Sequence, residues 1–207
     1  YLLIKISVIQ LKSIGNKMSA RIERDLGFST AIHLSDTFII NEYFMTLSML
    51  IETENIAEQN IALERILHFV MLVLNNCVFI NQSDDKAIKK YKNAGIRICA
   101  LPDDPFDQII SMTLLQKFNS ITEGRIKVTD CTLSSNLSEG VRYCTVSEVV
   151  ENVIDTHHSR WWNCSTLCTE HSEPVDDDNN IVKLFSGDEW EKLDLQYAKK
   201  GKKPAKN

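Results

Sequence analysis

The sequence predicts an α/β fold: a single domain on a mixed, partly parallel sheet flanked by helices, plus a C-terminal extension and a basic tail. Three observations carry this. Apolar periodicity switches repeatedly between two and 3.6 along residues 30–146, giving strands, helix, strand, helix, strand, helix, strand, strand. Strands that alternate with helices imply crossover connections and parallel neighbours, and two closing strands in succession imply an antiparallel pair. A content of 43% hydrophobic and 25% charged residues over 207 positions suits one buried core.

The elements follow in order. Within 30–51, Ile32, Leu34, Phe38 and Ile40 alternate on one parity, and Tyr43, Met45, Leu47, Met49 and Ile51 on the other. The switch near Asn41–Glu42 calls for a bulge or tight turn. One bent strand and two short ones both fit. From Ile56, Leu63, Ile66, Leu67, Val70, Val73 and Leu74 recur at helical spacing, and "FVMLVL" (69–74) makes the last turns apolar nearly all round. This helix is expected to be central and buried. "CVFIN" (77–81) reads as a strand. Ser83 is the expected cap of a polar helix, with Asp84 and Asp85 in its first turn and Gly95 just past its end. "IRICAL" (96–101) is a buried strand. In "PDDPFDQII", Asp104 as cap, Pro105 at the first helical position and Asp107 two residues on mark a helix start. That helix carries Phe106, Ile110, Leu114, Phe118 and Ile121 and stops at Gly124. "RIKVTDCTL" (125–133) and "VRYCTV" (141–146) are strands, and beyond about Glu151 the pattern fades.

Domain limits follow. Residues 1–17 read as a leader outside the native protein, with Met18 as the start, because Lys5 interrupts the apolar stretch and no signal-cleavage pattern follows. Residues 18–150 form the α/β domain, 151–190 an aromatic-anchored extension, and 191–207 a lysine-rich disordered tail. The tail region beyond Trp190 holds six lysines with Glu191 and Asp194. Removing those six from the 23 basic residues and those two from the 28 acidic ones leaves 17 against 26, a net of −9. A body so charged repels phosphate backbones, so nucleic acid is left only to the lysine tail, which could equally be a solvated end. The longest apolar run is six residues, against the ~20 of a membrane span. Cys77, Cys99, Cys131 and Cys144 sit in apolar or strand-like runs, as buried thiols do, which points to a reducing cytoplasm.

Motifs that carry chemistry are scarce. The sequence has no P-loop, no glycine-rich turn after a strand, no G-x-S-x-G elbow and no H-E-x-x-H. Two clusters remain. Asp103, Asp104 and Asp107 follow one predicted strand and Asp84 and Asp85 the preceding one, where open α/β sheets bind ligands. Together they could hold magnesium in a metal-dependent enzyme acting on a phosphate-containing substrate. The simpler reading is helix capping, since both acidic groups open a helix. The second cluster is "THHSRWWNCSTLCTEH" (156–171). Cys164, Cys168 and His171, with His157 or His158, could form a small structural zinc site. The second well-spaced ligand pair that such sites use is absent. Trp161 and Trp162 are the preferred reading, as anchors that dock the extension, with no metal bound. His33 and His68 read as structural histidines.

Three stretches, "EQNIALERI" (58–66), "ALPDDPFDQII" (100–110) and "FNSITEGRI" (118–126), resemble those of uncharacterised proteins of marine T4-like tailed phages, over residues 28 to 165. The resemblance implies a phage accessory protein acting in the cytoplasm of the infected bacterium, with no known activity. The expected function is therefore a non-enzymatic interaction protein, with a protein partner or self-association, no cofactor and no membrane.

Overall fold

The structure is a computed structural model that describes residues 6–14, 17–153 and 160–169, with side chains for 20–150 and 160–169. Contacts divide the chain into two units, Tyr1–His171 and Ser172–Asn207, and every described residue belongs to the first. His157, His158, His171 and the lysine tail lie outside the described residues.

The first unit grows from one long hairpin. β1 (Ile6–Ile14) pairs with the first part of β2 (Lys17–Leu34), and β2 pairs from Arg21 to Leu34 with β3 (Thr37–Ile51). The turn falls at Ser35–Asp36, with φ of 49° and 63°. Two left-handed residues give a turn whose twist matches that of the strands it joins. Neither the bulge nor the tight turn expected near Asn41–Glu42 is there: β3 runs through that point in unbroken register with β2, and residues 30–51 belong to two strands joined at Ser35–Asp36. The parity change there has another cause, which is that the apolar residues move from one face of the strand to the other. A strand is also present over residues 18–29, where the sequence suggested none. Arg24, on the covered face between Ile22 and Leu26, breaks the apolar alternation that would have marked it.

α1 (Ile56–His68) continues as a π-helical turn, Phe69–Leu74, before β4 (Val78–Asn81). α2 (Asp85–Asn93), β5 (Ile98–Leu101), α3 (Asp107–Thr122), β6 (Ile126–Ser135), β7 (Tyr143–Val146) and α4 (Ser147–Val153) complete the unit. The seven-stranded sheet has the order β5-β4-β2-β3-β6-β7, with β1 also on β2. β2–β4 and β4–β5 are parallel and the other pairs antiparallel. The mixed, partly parallel α/β architecture is thus the one the sequence predicts. No helix among the described residues is long and apolar enough to cross a membrane.

Two cap assignments need correction. Asp84, not Ser83, caps α2 and accepts from the Ala87 amide at 3.0 Å. α3 begins at Asp107, with extended Phe106 as its cap in place of Asp104. The Asp104 carboxylate is engaged elsewhere, by Asn81, so it does not serve the helix.

The sheet has two unlike faces. One packs against α1, the π-helical turn, α3 and the Trp161–Trp162 segment, around Phe28, Tyr43, Met45, Leu47, Met49, Phe79 and Leu133. The other carries a small cluster of Ala31, Val78, Ile80 and Ile98 beneath Ala87 and Tyr91 of α2.

Candidate functional site

Three parallel strands end together, and their loops carry the predicted acidic cluster. The loop after β4 leads to α2 on one face, and the loop after β5 leads to α3 on the other. Such divergence opens a crevice beyond the strand ends. Here it is laced shut: Asn81 Nδ2 donates to Asp104 Oδ1 at 2.9 Å, and Gln82 Nε2 to the Pro102 carbonyl at 3.3 Å. Asp84 Oδ2 sits 3.3 Å from Nε2 of buried His33, whose Nδ1 is 3.0 Å from the Tyr91 hydroxyl. Asp103 accepts from the Asp104 amide at 2.8 Å. Asp107 is turned away to the Ser135 hydroxyl at 2.7 Å, and its burial raises its pKa while that hydrogen bond lowers it. Asp85 lies exposed in the first turn of α2. Asp84 and Asp104 thus fasten their own loops, and among the described residues no three His, Cys, Asp or Glu side chains gather as metal ligands would.

The second cluster is a docked strap. Trp161 and Trp162 are both buried, and Trp161 Nε1 donates to the Ala100 carbonyl at 2.6 Å. The Thr169 hydroxyl donates to the Ile98 carbonyl at 2.7 Å. These two bonds cap the outer edge of β5, which would otherwise offer bare carbonyls for pairing. The key residue beneath the strap is Lys117, which is fully buried on α3. Its ammonium donates to the carbonyls of Trp161 (2.6 Å), Cys164 (2.8 Å) and Thr166 (2.7 Å), using all three of its protons. It also lies 5.5 Å from the Phe69 ring and 5.6 Å from the Trp161 ring, where cation–π attraction acts. Burial lowers its pKa from 10.5 to about 8. Ser120 and Arg65 add hydrogen bonds to the Trp162 and Ser165 carbonyls. Lys117 falls on the stripe Ile110–Leu114–Phe118–Ile121, where a lysine is out of place, and that misfit is the one signal of it in the sequence.

The cysteines divide. Cys77, Cys99 and Cys131 are buried; burial pushes Cys131 up to about 12 and Cys99 upward, as for packing thiols, whereas hydrogen bonding with Cys99 and Thr30 lowers the pKa of Cys77. Cys144 is exposed on β7, against expectation, because its strand lies at the sheet margin. His68, expected among core residues, is exposed at the last turn of α1. Cys164 and Cys168 lie part-buried on the strap.

The third feature is the open face of β3. Phe38, Ile40 and Phe44 are 50%, 75% and 58% exposed; Phe44 lies where β3 is flanked by β2 and β6, and Phe38 and Ile40 where it pairs with β2 alone. Beside Phe38 and Ile40 lies a shallow hollow of about 180 Å³ lined also by Ala31, Val78 and Ile96. Register places Glu42, Asp25, Glu23 and, on β6, Asp130 on the same face. Arg21 and Lys127, both opposite Leu50, and His33, opposite Phe38, are basic residues that register places there, and Arg21 is 3.4 Å from Asp130. An apolar patch framed by carboxylates results, and nothing in the alternation of residues 30–51 distinguished its side of the sheet from the core side.

No family model matches this chain, and no curated protein does. Among solved structures it is similar to an uncharacterized protein from Wolinella succinogenes, at 10% identity and a TM-score of 0.46, over 63% of this chain and 99% of that chain.

Proposed function

We propose that the chain is a protein-interaction module with no catalytic role, and that the open face of its sheet is the docking surface. The observation that carries this reading is Phe38, Ile40 and Phe44 standing exposed on a strand whose alternate residues Asn41, Tyr43 and Met45 are buried. Large apolar side chains left exposed together in this way on a folded domain mark an interaction site. The frame of Glu23, Asp25, Glu42 and Asp130 selects a partner that offers apolar side chains flanked by lysine or arginine. The same frame disfavours a second copy, because like charges would meet across the interface. The resemblance to T4-like phage proteins supports a partner in the cytoplasm of an infected bacterium.

Labelled peptides with one apolar, aromatic-containing centre, flanked by lysines or by glutamates, test the reading by fluorescence anisotropy on the full chain. The lysine-flanked peptide is expected to bind at least about tenfold more tightly, and salt should weaken it. Ile40→Glu should abolish that binding. Equal affinity for both peptides, unchanged binding by Ile40→Glu, or a dimer dissolved by the same substitution would overturn it.

A further inference from the structure

Between the π-helical turn, the end of α2 and the docked strap lies an open groove of about 770 Å³. Its walls present Lys92, Arg97 and His68, and among the described residues no aspartate or glutamate lines it. In a body with an acidic excess this concentration of positive and donor groups stands apart. Arg97 is the best placed of the three. Its Nη1 donates to the carbonyls of Leu72 and Val73, the latter at 3.3 Å, at the end of the π-helical turn. The Nε–Nη2 edge makes no hydrogen bond among the described residues. Those two parallel donors match the oxygens of a phosphate or carboxylate. Anchoring through Nη1 holds the fork in place, which reduces the entropy lost on binding.

The remaining wall is apolar. The π-helical turn, a form that recurs at functional sites, leaves Leu72 59% exposed over the groove. Ile96 and Leu167 face it from the α2–β5 loop and the strap. We infer that this groove binds a small organic anion, a phosphate monoester or a carboxylate carried on an apolar body. Arg97 takes the anionic head in a bidentate grip, and His68 offers a ring donor. Leu72, Ile96 and Leu167 cover the body. The groove adjoins the open sheet face at Ile96, yet the inference does not depend on protein docking there.

Calorimetric titration of the full chain with phenyl phosphate, benzoate, inorganic phosphate and benzyl alcohol tests this. Phenyl phosphate or benzoate should bind at least about tenfold more tightly than benzyl alcohol and than inorganic phosphate. The tighter of the two anions identifies the headgroup. Arg97→Gln should weaken that ligand about tenfold. His68→Ala, at an exposed position in the last turn of α1, should weaken it about threefold. Absence of binding by both organic anions, equal affinity for benzyl alcohol or inorganic phosphate, or full affinity in both variants would overturn the assignment.

Discussion

The two faces of β3 are unlike in what covers them. Tyr43, Met45, Leu47 and Met49 are nearly inaccessible beneath α1, α3 and the strap, whereas Phe38, Ile40 and Phe44 on the same strand meet solvent. Both sets are apolar, so hydrophobicity alone does not decide what is covered. Connectivity does. The crossovers from β3 to β4 and from β5 to β6 lay α1 and α3 on one face, and the short α2 shields only the β4–β5 end of the other. The lesson is that a central strand can build the core with one side while its other side stays available for binding.

The covered face should fail first when its strap is cut. Trp162→Ala removes a buried indole and is expected to cost about 3–5 kcal/mol in urea unfolding. A loss under about 1 kcal/mol would mean that the strap adds little to the covered face.

A smaller effect comes from Lys117. Its folded pKa of about 8 lies below the 10.5 of the unfolded chain. Below pH 8 both states hold the proton, and the cost of burying the charge is fully present. Between pH 8 and 10.5 the folded protein releases a proton that the unfolded chain keeps, so this group's contribution to stability rises with pH. Urea titrations of the wild type and Lys117→Met across that window should show the gain as a pH-dependent difference. A flat difference would mean that the three carbonyls hold the ammonium charged throughout.

Much of this contrast was legible in the sequence, and the rest was lost for physical reasons. The order of strands and helices followed from the change in period. The covered parity of β3 was visible in Tyr43, Met45, Leu47 and Met49. Phe38 and Ile40 look identical in such a pattern, because periodicity tells which residues share a face but not which face a helix will cover. The Ser35–Asp36 turn escaped because it adopts left-handed backbone without glycine. Trp161 and Trp162 announced themselves by size, while Lys117 acts through backbone carbonyls that carry no signature of their own. The basic groove brings together His68, Lys92 and Arg97 from separate elements, and only the fold makes them neighbours.

The most direct test sets one residue from each face of β3 against the other. Met45→Ala and Ile40→Ala are each measured for unfolding free energy and, under folding conditions, for affinity toward the lysine-flanked peptide. The account predicts that Met45→Ala loses about 2–5 kcal/mol of stability and keeps its affinity. Ile40→Ala should stay within about 0.5 kcal/mol of wild type and lose binding. An Ile40→Ala protein that is as destabilised as Met45→Ala, or that binds as the wild type does, would contradict it.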